Sequence, residues 1–354
     1  MINFSITLNL PAPNLANTAK TVSIVMCTYN GAPYLRQQLD TVVNQTCPLL
    51  EIIIQDDCST DNTMEILQEY AAKYPAIRIY QNEERKGHIL NFFSATSRAV
   101  GEYIAFADQD DIWKLDKIEK MLECIGNNWM AVCFSIPFHN ESEIKEEPDL
   151  SKLQPPNLAL ERQLYVPGAA AGHAMLIHRI LLEKIPQKFL TSKERGHDVL
   201  LHIVAAAYDK VVFCKNTATF FRRHPCAFSY IPAENTEKSL SNAIAYIRRT
   251  LRLYKESRPF VEDRLISVIH ILSSLPDEAY AKYDALKLGK AHLNRNWIKT
   301  FYYCIKFRNR LFYRRETNPV LSFMRGLYFP ISCSDYSRAK CKSYQKNSNK
   351  NQIP

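Results

Sequence analysis

Along the first hundred residues the apolar positions come in short unbroken runs, separated by stretches with helical spacing. Val22–Cys27 is one run, and Ile52, Ile53 and Ile54 form the core of a second, Glu51–Gln55. Unbroken apolar character suits strands buried on both faces, as in parallel sheets. After the first run Leu35, Leu39, Val42 and Val43 recur at helical spacing, which predicts a helix over about 32–45. After the second, Ile66, Leu67 and Tyr70 share one face of a helix over about 61–74, with Thr60 or Asp61 as N-cap. Ile77–Tyr80 reads as a third strand, 88–99 as a third helix and 102–107 as a fourth strand. This alternation predicts an α/β fold, a Rossmann-like, mostly parallel sheet with helices on both faces.

Later segments follow a looser pattern. A small-residue stretch, Tyr165 to His173, precedes the apolar run Ala174–Ile177. Arg195-Gly196-His197-Asp198 opens a helix through Val204, and Val211–Cys214 reads as an edge strand. From about residue 236 the spacing is helical, first at Leu240, Ile244, Ile247 and Leu251, then from Leu265 to Leu275, where Pro276 ends the run. The expected division is an N-terminal arm over 1–20, a catalytic domain over 21–235, a helical appendage over 236–335 and a disordered tail over 336–354. No internal repeat is visible.

The chain has 354 residues and a net charge of +9. Residues 295–354 hold thirteen Lys and Arg against Glu316 and Asp335, a local net of +11, so the remainder sits at −2. The basic character therefore belongs to the C-terminal region. The ten cysteines include no CxxC pair and are expected to be reduced thiols in a cytoplasmic protein. No apolar run approaches transmembrane length, and no signal peptide is expected.

The polar clusters fall where a doubly wound sheet binds ligands, outside the carboxyl ends of its strands. Thr28–Gly31, Asp56–Asp61 and Asp108–Asp111 each follow a strand and are expected to converge on one crevice. Period-two alternation places Asp108 and Asp110 on the same side, and two carboxylates that close call for a cation. Oxygen ligands favour Mg²⁺ or Mn²⁺. A solvated acidic turn is the alternative, and Asp111 reads as a cap for the following helix. Of the nine glycines, Gly31, Gly87, Gly168, Gly172 and Gly196 lie in or beside polar clusters. His173 reads as a structural histidine.

Thr28-Tyr29-Asn30-Gly31, Gln55-Asp56-Asp57-Cys58-Ser59-Thr60-Asp61 and Asp108-Gln109-Asp110-Asp111-Ile112-Trp113 with Asp116-Lys117 together resemble family 2 glycosyltransferases of the GT-A fold, over about 21–225. The last of these resembles the rhamnosyltransferase-like branch. The resemblance divides the catalytic domain into a nucleotide-sugar half, 21–125, and an acceptor half, 126–235. It implies that Asp57 accepts a hydrogen bond from the nucleotide base, with Asp56 beside it turned toward a basic residue. Thr28, Tyr29 and Asn30 line the nucleotide, and Lys86 contributes charge to the phosphates. Asp110 is the principal metal ligand, supported by Asp108 and by His224 in a Tyr-Arg-x-His-like segment. Arg223 or Arg222 contacts the diphosphate. Gly168 and His197 face the acceptor, and Asp198 is the general base. The one departure is Cys58, where many members have Gly.

The implied activity is a metal-dependent, inverting transfer from a nucleotide-diphosphate sugar to a hydroxyl of a surface glycan or lipid-linked acceptor. A nucleotidyltransferase is the alternative enzyme, but Thr28–Gly31 lacks the basic phosphate loop such enzymes carry. A non-catalytic nucleotide-sugar or polysaccharide-binding protein is the other alternative, against which the joint presence of Asp57, Asp110 and Asp198 argues. The aromatic and basic residues from Trp297 to Arg315 suit three roles: lying on an anionic membrane, binding nucleic acid, or packing with a solvated basic face. A membrane surface is taken as the partner and nucleic acid is not. The expected location is cytoplasmic, peripheral at the inner face of the plasma membrane.

Overall fold

The computed structural model describes residues 20–144, 148–166, 170–190, 196–224, 243–312 and 318–331. The chain forms two compact units. The first holds residues up to 155 with 170–205 and 209–222, and the second holds 156–169, 206–208 and everything from 223 onward.

The first unit is built on one sheet. Its strands are β1 (Val22–Thr28), β2 (Glu51–Asp56), β3 (Ile77–Gln81), β4 (Tyr103–Ala107), β5 (Ile112–Trp113), β6 (Met130–Phe138), β7 (Met175–His178) and β8 (Val211–Arg222). They lie in the order β3-β2-β1-β4-β7-β6-β8-β5. Among β1 to β4 every pairing is parallel. Helices α1 (Ala32–Val43), α2 (Thr63–Lys73) and α3 (His88–Thr96) follow the first three strands, and α4 (Lys117–Ile125) follows β5. The predicted alternation therefore stands, with bounds moved by a few residues.

The core confirms why these runs are unbroken. Ile24, Val25, Met26, Ile53 and Ile54 are fully buried on both faces of the sheet. Truncating such a side chain, for example Ile53→Ala, costs about 2–5 kcal/mol. A buried carboxylate also serves the sheet. Glu51 accepts hydrogen bonds from the Ser23 hydroxyl and the Val100 amide, each at 2.7 Å, and joins β2 to the start of β4.

The other half of the sheet departs from a simple doubly wound pattern. β7 runs antiparallel to both β4 and β6, and β5 runs antiparallel to β8, whereas β6 and β8 are parallel. β8 is far longer than the predicted Val211–Cys214 and carries Phe220-Phe221-Arg222 inside the strand. Its early residues pair on one side only, with β6, and Thr219 and Phe220 pair with β5 as well.

One cysteine expectation is corrected. Cys124 of α4 and Cys214 of β8 are joined in a disulfide, with Cα atoms 5.9 Å apart. A separation of 90 residues hid the pairing from any local spacing rule. Cys27, Cys47, Cys58 and Cys133 are free thiols.

The second unit is helical. The two helical stretches expected before and after residue 260 are one helix, Ala243–Ser273, with Pro259 inside it. Helices Lys282–Leu293, Trp297–Lys306 and Arg308–Leu311 follow, and residues 319–331 are also helical. Residues 156–169 belong here because polar groups tie them in. Arg162 donates to the Leu311 carbonyl at 3.0 Å, Glu161 pairs with Arg310 at 2.7 Å, and Tyr165 hydrogen-bonds His292 at 3.1 Å. Among the described residues no helix is long and apolar enough to cross a membrane. The arm expected over 1–20, apart from Lys20, and the tail expected over 336–354 lie outside the described residues.

Candidate active site

The parallel strands bring three polar clusters to one edge of the sheet. At the ends of β1 and β2 the side chains are heavily committed to one another. Asp56 accepts from the Thr28 hydroxyl at 2.9 Å, from the Ser59 amide at 2.9 Å and hydroxyl at 2.5 Å, and from Gln81 Nε2 at 3.2 Å. These partners are hydroxyls and amides, so the expectation of a basic partner for Asp56 is corrected. Its carboxylate holds the turn that follows β2 in shape.

Asp57 is buried and accepts from Asn82 Nδ2 and from the backbone amides of Lys86 and Gly87, each at 2.8 Å. It thereby anchors the loop that carries Lys86. Cys58 adopts φ 64°, a conformation natural for glycine, and its thiol donates to the Asn82 carbonyl at 3.2 Å. The departure at Cys58 thus keeps the turn that glycine would make.

Tyr29 is held through its backbone. Its amide donates to Gln109 Oε1 at 2.8 Å, and Gln109 Nε2 donates to its carbonyl at 3.0 Å. Gln109 sits so close to Gly31 that any Cβ there would collide with its amide oxygen. This clamp links the first cluster to the acidic cluster. Asn30, at φ 48°, accepts from the Thr60 amide at 2.8 Å. Over the Tyr29 ring lies the Arg85 guanidinium, 3.7 Å from the centroid.

The acidic cluster differs from its expected form. β4 ends at Ala107, and Asp108–Asp111 form a turn, so period-two alternation does not extend to them. Asp108 and Asp111, with His173, are the groups whose ligand atoms lie within 4.8 Å of one another. Asp110 contributes its carbonyl to Arg222 Nε at 3.1 Å. Asp111 does not cap a helix; that place before α4 belongs to Asp116. It is buried instead and accepts from the Arg222 amide at 3.2 Å. Arg222 is itself spread over Asp110, Asp111 and Gln37 rather than free for a diphosphate.

His173 is the hub of this cluster. Its Nδ1 lies 3.1 Å from Asp108 Oδ2 and 3.3 Å from Asp111 Oδ2, and its Nε2 lies 2.7 Å from the Ser135 hydroxyl. Its carbonyl accepts from Lys117 Nζ at 2.6 Å and from Thr219 at 3.0 Å. Burial disfavours the imidazolium, but the Asp111 and Asp108 charges outweigh it and raise the pKa. Burial pushes Asp111 up to about 7. The Asp108 carboxyl, though desolvated, is held below its ordinary value chiefly by the hydrogen bond from His173. Lys117, buried 3.3 Å from the centroid of Trp113, is lowered to about 8 by burial.

The donor set fits a hard divalent cation. It is oxygen-rich, and Asp111 Oδ2 has no hydrogen-bond partner among the described residues.

On the other flank, His197 stacks on Phe92 with ring centroids 4.0 Å apart and lies 5.1 Å from Phe106. Neither of its ring nitrogens has a hydrogen-bond partner among the described residues, and burial lowers its pKa to about 4. Asp198 lies in the first turn of the helix His197–Ala207 and accepts from the Val199 amide at 2.8 Å. Gly172 makes this approach feasible: a Cβ there would lie 2.7 Å from His197 Nε2 and 3.8 Å from Asp198 Cβ. The segment that carries His173 therefore abuts the one that carries Asp198. Gly168 lies outside the described residues, and Arg223 and His224 belong to the second unit.

Sequence reasoning passed over Arg85, Gln109 and the full role of Asp111, His173 and Lys117. Gln109 and Lys117 stood within the quoted motifs. Arg85 had only its neighbour Lys86 as a signal.

A sheet with polar turns at its parallel strand ends, an acidic turn after β4 and a mixed second half defines the GT-A class. The sequence model of glycosyl transferase family 2 matches residues 23–185, and that segment belongs to this family. A Bacillus subtilis protein named as the teichuronic acid biosynthesis glycosyltransferase TuaG is 39% identical over 121 residues, covering 34% of this chain and 48% of the relative. The dTDP-rhamnosyl transferase RfbG of Shigella flexneri is 30% identical over 184 residues, covering 50% and 62%. The chain thus spans about half to three-fifths of the curated relatives it matches. Among solved structures, S. aureus TarS 1-349 aligns with a TM-score of 0.52 at 15% identity over 92% of each chain. The mannosyltransferase PcManGT of Pyrobaculum calidifontis, solved with GDP-Man and Mn²⁺, aligns at 0.50 and 16% identity over 95% of this chain and 89% of that one. At such identities these likenesses show the fold.

Proposed function

We propose that the chain is a metal-dependent, inverting glycosyltransferase of the hexosyltransferase class. It moves a sugar, with rhamnose the leading candidate, from a nucleotide-diphosphate donor to a hydroxyl of a surface-glycan or lipid-linked acceptor. The observation that carries this reading is that the neighbouring parallel strands β2, β1 and β4 present the Asp56–Asp61, Thr28–Gly31 and Asp108–Asp111 clusters at the same edge of one sheet within the first unit. The similarity to RfbG supports rhamnose, and that to TuaG supports a surface polysaccharide.

Each residue has a distinct task. Tyr29, with Thr28 and Asn30 beside it, supports the nucleotide, and Arg85 limits the space above its ring. Asp57 recognises the base while holding the Lys86–Gly87 amides, so base recognition and loop position are coupled. Lys86 supplies positive charge toward the diphosphate. Asp110 and Asp108 would hold Mn²⁺ or Mg²⁺. When bound, the metal neutralises charge on the leaving diphosphate. Asp111 and His173 orient Asp108. Asp198 takes the proton from the acceptor hydroxyl as its oxygen attacks the anomeric carbon, and inversion follows from a single displacement. His197 shapes the acceptor side.

An acceptor carried on a membrane lipid places the enzyme at the inner face of the plasma membrane as a peripheral protein. A turnover assay with Mn²⁺ and a panel of nucleotide-diphosphate sugars tests the activity. Donor consumption that depends on acceptor and falls away in Asp198→Asn is expected. Consumption unchanged in that variant removes the base assignment.

A further inference from the structure

Two helices of the second unit turn apolar side chains outward. In Trp297–Lys306 the buried positions are Thr300 and Cys304, while Ile298 is 86% exposed and Tyr302 59%. In residues 319–331 Ser322, Gly326 and Phe329 face inward, and Val320, Phe323, Met324 and Leu327 face solvent, at 69%, 46%, 53% and 38%. The helices meet at Gly326. A Cβ there would lie 3.1 Å from the Cys304 carbonyl oxygen and 3.2 Å from Ile305 Cα. Ile298, Tyr302 and Ile305 follow one another at i, i+4 and i+7, so the first two lie on the stripe that borders this contact. The two helices that carry these outward apolar side chains are thus packed against each other. Clusters of this kind on a folded chain mark an interaction site.

Charge selects the partner. Residues 295–331 contain eight Lys and Arg and a single acidic residue, Glu316. Arg310 is engaged by Glu161. Lys299 and Lys306 are exposed, and Lys299 has no ion-pair partner among the described residues. They flank the Tyr302 stripe. A second copy of this chain would set this positive excess against itself. We propose that this two-helix face docks on an anionic lipid bilayer. Ile298, Val320, Phe323, Met324 and Leu327 enter the headgroup–acyl boundary, and Lys299 and Lys306 meet the lipid phosphates. This names the surface behind the membrane location proposed above and rests on that location.

Co-sedimentation of the full chain with vesicles of 30% phosphatidylglycerol in phosphatidylcholine is the test. Binding to these and much weaker binding to pure phosphatidylcholine are expected. Lys299→Glu with Lys306→Glu should weaken binding about twenty-fivefold, since each basic residue near the surface contributes about fivefold. Ile298→Asp with Met324→Asp should weaken it at least about tenfold. The substituted positions are exposed, so melting temperatures should hold; should one pair melt early, the other carries the test. Equal binding by wild type and both variants, or no binding to anionic vesicles, overturns the proposal. So does a dimer in light scattering that Ile298→Asp with Met324→Asp dissociates, because the face would then belong to a second copy. Donor turnover without vesicles should be unchanged in both variants. Its absence in the wild type would strike the catalytic reading and leave the vesicle result standing.

Discussion

The two halves of the sheet do different work. From β3 to β4 the strands are parallel, β2, β1 and β4 are buried on both faces, and each delivers a turn at its carboxyl end. Those turns are shaped by hydrogen bonds within the turn or to the next strand, as Asp56 with Ser59 and Thr28 shows. From β7 to β5 the pairings are mixed, and the side chains reach back into the first half. Ser135 of β6, Thr219 and Arg222 of β8 and His173 just before β7 all bear on the turn after β4. The first half sets out the ligand groups, and the second sets their charge. Asp108 and Asp111 titrate in opposite directions because the second half gives Asp108 a histidine hydrogen bond and leaves Asp111 dominated by burial.

Substitutions in each half should therefore fail in different ways. The largest effect is expected for Asp110→Ala, which should abolish transfer while leaving the fold intact; residual turnover above a thousandth of wild type would break its assignment. Asp198→Asn should lower kcat by about 10²–10⁴-fold, the range of general-base catalysis, with nucleotide affinity held. Calorimetry of nucleotide binding separates this from collapse of the site.

Removing the hub should be felt in stability before activity. His173→Ala leaves two apposed carboxylates without their cation, a loss of about 3 kcal/mol in urea unfolding. A change below about 0.5 kcal/mol would show that the second half does not set the charge of the first.

His197 offers a smaller, pH-dependent effect. Its pKa in the folded protein, about 4, lies below the ordinary 6.5. Above pH 6.5 both folded and unfolded chains hold it neutral, and it contributes nothing. As pH falls from 6.5 toward 4, only the unfolded chain takes the proton, and stability drops by at most about 3 kcal/mol. His197→Phe should flatten that part of the curve. An identical acid slope in the variant would place the titration elsewhere. The smallest effect is expected at Arg85: Arg85→Ala removes an exposed cation–π contact and should change nucleotide affinity about fivefold or less.

How much was legible follows the same division. β1, β2 and β4 could be read because a parallel strand buried on both faces advertises itself as an unbroken apolar run, and β3 could be read from the strand–helix alternation around it. The clusters at their ends could be read because they are contiguous. The rest depends on contacts between distant residues. Asp111 looked like a cap because a local rule places Asp before helices, yet its partner is an amide 111 residues away. The alternation argument for Asp108 and Asp110 failed because the strand stops one residue too soon. His173 looked structural by itself, and it is buried, but the neighbours of its Nδ1 are the carboxylates of the acidic turn. The Cys124–Cys214 bond and the single helix through Pro259 were hidden for the same reason: packing overrode local propensity.

Melting temperature against a panel of nucleotide-diphosphate sugars, with and without Mn²⁺, tests the central claim most directly. At a hundredfold excess over the dissociation constant a donor stabilises the fold by about 2.7 kcal/mol. One donor should raise the melting temperature strongly with Mn²⁺, weakly without it, and no more than weakly in Asp110→Ala with Mn²⁺. A chain that no nucleotide-diphosphate sugar stabilises, with or without the metal, would contradict the account.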